Sequence, residues 1–184
     1  MVRHLPNLLS ALRLLAAPFT AWLIISGHDM AALLTFAAAG LSDGLDGFIA
    51  RAWGVTSDFG AWLDPAADKL LMLFSFSALF AVGAAPLWLV ALVIGRDLVF
   101  CLVWLVIRLS GWALPIATLF VGKISTAVQM IYILTLLLLL ALGLDAPRLT
   151  LALGAACAAV TLLAAAGYGA VMFRGFLAGR RVAQ

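Results

Sequence analysis

The chain has 184 residues, of which 66% are hydrophobic and only 10% charged, with a formal net charge of +3. Soluble domains average about 45–50% apolar residues, so this composition excludes an ordinary water-facing fold. The basic residues sit at the ends of apolar blocks and form no patch interleaved with aromatics, which argues for topology and against nucleic acid.

Apolar blocks of roughly 20 residues are long enough to cross a bilayer as helices, and up to six fit in the chain. A short basic head, Met1–Leu5, precedes a first span expected over Leu8–Ile25, with Pro6 near its start. The turn Gly27-His28-Asp29 leads to a second helix from Met30 to Arg51, apolar at first and then acidic. A loop over Trp53–Phe59, which includes Asp58, precedes a third helix starting near Gly60 or Ala61 and ending near Val82. Gly83 and Pro86 mark the next turn. The fourth span is expected over Leu87–Ile107, a loop with Gly111 and Pro115 follows, and the fifth covers Leu119–Leu142. Gly143 to Pro147 is a turn, and the sixth span runs over Leu149–Phe173 to a tail ending in Arg180-Arg181. The expected architecture is therefore all-α, six transmembrane helices in one membrane domain over residues 1–184, with no cleavable signal peptide and no strong internal repeat. Cys101 and Cys157 have neither zinc-site nor disulfide spacing and read as small packing residues.

Lys and Arg fix the orientation. Threading six spans places Arg3, Arg51, Arg108, Lys123, Arg174, Arg180 and Arg181 on one side and leaves Arg148 on the other. The first side is then cytoplasmic. It also holds the end of the second helix and the start of the third.

All eight acidic residues are Asp, and four of them fall in that one region. Asp43 and Asp46 are three apart, and Asp64 and Asp68 four apart, so each pair shares a helix face. A short loop makes the two helices antiparallel neighbours, which lets four carboxylates converge. Like charges in a low dielectric cannot all stay ionised without neutralisation, and carboxylates in a membrane are costly and usually functional. All-oxygen ligands favour Mg2+ or Mn2+. Two such ions about 4 Å apart clamp a diphosphate during in-line displacement. Gly47 and Gly60 allow close approach of a nucleotide or phosphate to the backbone, Ala50 is small, and Arg51 is placed to pair with a phosphate or an aspartate.

The full stretch reads D-x2-D-G-x2-A-R-x8-G-x3-D-x3-D, with Asp43, Asp46, Gly47, Ala50, Arg51, Gly60, Asp64 and Asp68 at its fixed positions. It resembles the signature of the CDP-alcohol phosphotransferases at every one of them. The resemblance implies a six-helix fold, usually homodimeric. It implies that Asp43, Asp46 and Asp64 bind metal, that Asp68 helps hold the second ion and is the base on the attacking hydroxyl, and that Gly47, Ala50 and Gly60 line the CDP site.

Two further segments narrow the resemblance. Pro6-Asn7-Leu8-Leu9-Ser10-Ala11-Leu12-Arg13 and Gly122-Lys123-Ile124-Ser125-Thr126-Ala127-Val128-Gln129 resemble enzymes that make phosphatidylglycerol phosphate and cardiolipin from CDP-diacylglycerol. Arg96-Asp97 in the fourth span looks like the cardiolipin-forming group, whereas the other group usually shows Arg-Glu. The expected acceptor is thus phosphatidylglycerol, with glycerol 3-phosphate as the alternative. Arg13, Arg96 and Lys123 are the candidate cations for its phosphate. Each also has a structural reading: Arg13 reaching the headgroups, Arg96 pairing with Asp97, and Lys123 setting topology. Lys69 is expected to neutralise the carboxylates or face headgroups. A reading of another class, a cation transporter with an aspartate ion site, accounts for the carboxylates but not for Gly47, Ala50 and Gly60.

Overall fold

A helix ends cleanly when its last carbonyls find donors, and glycine supplies them by turning the chain into the left-handed region. Gly27, Gly83 and Gly143 have φ of 72°, 78° and 62°. At each one the glycine N–H donates three residues back, to Ile24, Phe80 or Leu140. The following N–H, of His28, Ala84 or Leu144, donates five residues back, to Leu23, Leu79 or Leu139. This is the Schellman pattern, and it closes three helical hairpins in the same way.

The computed structural model describes the backbone of residues 5–53, 58–110 and 120–182, and side chains within 11–42, 66–103, 105 and 121–170. The hairpins are α1 (Leu5–Ile25) with α2 (Asp29–Trp53), α3 (Asp58–Ala81) with α4 (Leu87–Ser110), and α5 (Phe120–Leu142) with α6 (Pro147–Val182). There is no strand among the described residues. Starts are equally explicit in the sequence. Asp29 occupies the first turn of α2, where a carboxylate meets the positive end of the helix dipole. Pro86 precedes α4, and Pro147, whose missing N–H costs nothing there, opens α6.

Several ends differ from expectation: α1 begins at Leu5 and α4 runs to Ser110, each three residues longer than expected. The third helix begins at Asp58, so Asp58 lies in its first turn and not in a loop; an Asp at a helix start is favoured by the dipole. The sixth helix continues to Val182, past the expected end at Phe173, because the Ala, Leu and Arg residues of the tail favour helix. Its 36 residues measure about 54 Å at 1.5 Å per residue, well beyond a hydrocarbon layer of about 30 Å.

The helices pack as a ring in the order α1, α2, α5, α6, α4, α3, which returns to α1; α3 also touches α5 and α2. Consecutive α4 and α5 are not neighbours among the described residues. Inside, small Ala17, Ala21, Ala32, Ala39, Ala78 and Ala164 allow close approach of helices. Phe36, Phe76, Leu79, Leu89, Tyr132 and Leu137 fill the space between them, and the Phe76 and Tyr132 rings stack at 6.2 Å.

Large hydrophobics lie on the outside as well as the inside. All six helices expose them, for example Leu15 at 68%, Leu41 at 69% and Leu151 at 68%. Meanwhile Arg13, Thr20, Ser75, Ser125, Gln129 and Thr161 are buried. Apolar outer faces around buried polar groups suit a lipid surround. Among the described residues, Val121–Leu142 and Pro147–Ala170 are long and apolar enough to span a membrane. Cys157 is buried as expected, whereas Cys101 faces outward; both are free thiols.

Nothing lies within 4 Å of a Cβ built on Gly83, so its backbone conformation alone opposes substitution. Gly83→Ala should lower stability by about 1–2 kcal/mol, read as a drop in the unfolding midpoint in detergent.

Candidate active site

Three polar links cross the hairpins at one depth. Arg13, Lys69 and Gln129 each precede the glycine of their own hairpin, Gly27, Gly83 or Gly143, by the same sequence distance. At 1.5 Å per residue this puts them about 21 Å from the turns. In α1–α2, Arg13 Nε donates to the Ala39 carbonyl at 3.3 Å, and Ser42 Oγ donates to the same carbonyl at 2.8 Å. In α3–α4, Lys69 Nζ donates to Asp97 Oδ2 at 2.8 Å. In α5–α6, Gln129 Nε2 donates to Thr161 Oγ1 at 3.2 Å and to Ser125 Oγ at 3.3 Å.

The backbone carries the four aspartates to nearly the same level. Asp43 and Asp46 lie on α2, and Asp64 and Asp68 on α3. Counting along each helix from Gly27 or Gly83 places them about 22–29 Å from the turns. Asp68 is partly buried. The side chains of Asp43, Asp46, Gly47, Ala50, Arg51, Gly60 and Asp64 lie outside the described residues, so their expected convergence rests on these backbone positions.

The three candidate cations fall in different settings. Arg13 is 1% exposed, so it does not reach for headgroups; it braces α2 one turn before Asp43. Arg96 Nη1 donates to Asp97 Oδ1 at 2.9 Å, as its structural reading expected. The Arg96 guanidinium also lies over the Phe100 ring, 4.8 Å from its centroid. Lys123 is exposed in the first turn of α5. Lys69, expected at the carboxylates or the headgroups, is 45% exposed and pairs with Asp97, which stands opposite it on the partner helix of its own hairpin.

Sequence reasoning passed over Tyr168. Its ring meets Phe100 edge-on at 4.7 Å, and a Cβ on Gly122 would come within 2.6 Å of its hydroxyl oxygen. A line of side chains thus runs from Arg96 on α4 through Phe100 to Tyr168 on α6 and Gly122 on α5, next to Lys123. The signal available in the sequence was a glycine in one helix and a lone tyrosine in the next, and neither identifies the other.

An apolar exterior, a polar interior level and carboxylates on two helices that touch suit a helical membrane protein with a hydrophilic level toward one end of its helices. The chain belongs to the CDP-alcohol phosphatidyltransferase family, whose model matches residues 3–169. It is 37% identical over 144 residues to a Streptomyces coelicolor protein named cardiolipin synthase (CMP-forming), an alignment covering 75% of this chain and 66% of the relative. It is 34% identical over 145 residues to the human cardiolipin synthase (CMP-forming), covering 70% of this chain and 48% of the relative. A Mycobacterium tuberculosis protein named probable phosphatidylglycerophosphate synthase is 33% identical over 138 residues, covering 72% of this chain and 65% of that protein. The aligned stretches therefore take in less than two thirds of each of these relatives.

Two glycines test the packing around the site. On Gly154 an added Cβ would meet Leu89 and Tyr132 at 3.5–3.6 Å, ordinary contact. Gly154→Ala should thus be neutral or stabilise by up to about 1 kcal/mol through helix propensity. Gly122→Ala should displace Tyr168 and lower the unfolding midpoint, and the two midpoints measured side by side check the contrast.

Proposed function

We propose that the protein is a CDP-diacylglycerol-dependent, CMP-forming phosphatidyltransferase of phospholipid biosynthesis that acts on phosphatidylglycerol to give cardiolipin. The observation that carries this reading is the complete acidic signature, Asp43 to Asp68, on the neighbouring helices α2 and α3. The names of the Streptomyces and human relatives support phosphatidylglycerol as the acceptor. The name of the mycobacterial relative supports a second reading, with glycerol 3-phosphate as acceptor and phosphatidylglycerol phosphate as product.

In the proposed reaction the acceptor hydroxyl oxygen attacks the phosphatidyl phosphorus in line. The bond from that phosphorus to the CMP oxygen breaks, and Asp68 takes the hydroxyl proton. Asp43, Asp46, Asp64 and Asp68 offer only oxygen donors, which fits Mg2+ or Mn2+; two such ions would neutralise the diphosphate and the departing CMP. Gly47, Ala50 and Gly60 leave room for the CDP moiety, and Arg51 pairs with its phosphates. Arg96 is the best-placed cation for the acceptor, since its Nε is buried without a hydrogen-bond partner among the described residues. Arg13 and Lys123 have weaker support, Arg13 because its Nε is engaged by Ala39 and Lys123 because it is exposed.

The proposed unit is one membrane domain over residues 1–184, working as a homodimer in a bacterial inner membrane with the aspartates toward the cytoplasm. Support for that orientation is the surplus of Lys and Arg on the aspartate side.

Product analysis by mass spectrometry tests the reading. Purified protein with CDP-diacylglycerol, Mg2+ or Mn2+ and phosphatidylglycerol should yield CMP and cardiolipin. Asp68→Asn should lower turnover about 100-fold to 10,000-fold, the usual contribution of a positioned base, while the protein stays folded. Undiminished turnover in that variant removes Asp68 from the chemistry.

A further inference from the structure

Asp97 engages two cations and two helices at once. Its Oδ2 accepts from Lys69 on α3 at 2.8 Å, and its Oδ1 accepts from Arg96 on its own helix at 2.9 Å.

The Arg96 side chain is only 6% exposed. A guanidinium carries five donors in a rigid plane. One donor rests on Asp97 and the face of the plane rests on Phe100, so the orientation of the rest is set. The Nε–H is buried and has no acceptor among the described residues. A buried donor left in that state is costly, and the acceptor that suits a fixed guanidinium best is a phosphate oxygen. Lys69, the other partner, directly follows Asp68, so the same carboxylate braces the turn of α3 that carries the proposed base.

We propose that Asp97 is a positioning residue for the acceptor. It holds the Arg96 guanidinium so that Nε–H meets an acceptor phosphate, and through Lys69 it fixes the turn that presents Asp68. This rests on the reading of Asp68 as the base. The ligand chemistry is a phosphate oxygen borne by an alcohol, supplied by a lipid phosphodiester or by a soluble phosphate monoester. Asn at position 97 keeps an oxygen but loses the charge that holds both cations. Glu adds a methylene, so it cannot keep both contacts unless α3 and α4 shift.

The test uses the full chain in detergent and measures binding of short-chain phosphatidylglycerol, glycerol 3-phosphate and CDP-diacylglycerol separately. Whichever acceptor the wild type binds identifies the phosphate source. Asp97→Asn should weaken that acceptor roughly tenfold or more, as loss of an orienting partner does at other ligand-holding side chains. Its affinity for CDP-diacylglycerol should shift less than about twofold. Lys69→Met should lower kcat with little change in acceptor affinity, and Arg96→Lys, which keeps the charge but lacks Nε, should reproduce the Asp97→Asn binding defect. Binding of neither phosphate probe by the wild type overturns the proposal. So does an Asp97→Asn or Arg96→Lys variant that loses acceptor and CDP-diacylglycerol affinity together, or loses neither. Selective loss of acceptor binding in a protein that releases no CMP leaves the positioning role standing and removes the phosphatidyltransferase reading instead.

Discussion

A bilayer offers no hydrogen bonds, and this constraint shapes the whole molecule. Every backbone group must be satisfied within its own helix or cap, and every polar side chain must turn inward to find a partner. The outward faces are free to be Leu, Phe, Trp and Ile, while the interior carries an arginine, a glutamine and several hydroxyls. The stability of such a bundle comes from close packing and satisfied polar contacts rather than from a hydrophobic drive between helices. Hence the alanines at the centre and the level of polar links about 21 Å from the turns.

The ring order divides the work. α2 and α3 carry the carboxylates, while α4, α5 and α6 carry Arg96, Lys123 and the aromatic pair Phe100 and Tyr168. The anionic and cationic halves meet where α3 lies against α4 and where α2 and α3 lie against α5. Asp97 sits at the first junction. The proposed transfer needs both a place that gathers negative charge around cations and a place that receives it on fixed donors. The two lie on different helices, and the hairpin of α3 and α4 contributes to both.

Much of this was legible in the sequence. Gly27, Gly83 and Gly143 announce their turns because no other residue takes that conformation so readily, and the apolar blocks give the helices between them. The spacing of Asp43, Asp46, Asp64 and Asp68 defines faces, and faces survive folding. The partners of Arg13, Lys69 and Thr161 were not legible. Lys69 and Asp97 are 28 residues apart, and nothing local to either names the other. Lys69 looked destined for the carboxylates or the headgroups, whereas hairpin geometry delivers it to Asp97. The start at Asp58 was misplaced because Asp suits a loop and a helix start equally, and only the fold decides between them. No repeat is visible as residue identity, yet three hairpins share a cap and a polar position, because the repeat is one of geometry.

Each polar link stays within a single hairpin: Arg13 with Ala39, Lys69 with Asp97, Gln129 with Thr161. A lone helix bearing an unpaired Lys or Arg enters lipid at a cost of several kcal/mol. A hairpin that carries both partners enters with the charge or amide already engaged. A polar link kept inside one hairpin leaves that hairpin no charge or amide to satisfy elsewhere when the three pack together, so the surfaces that join hairpins can be chosen for shape alone.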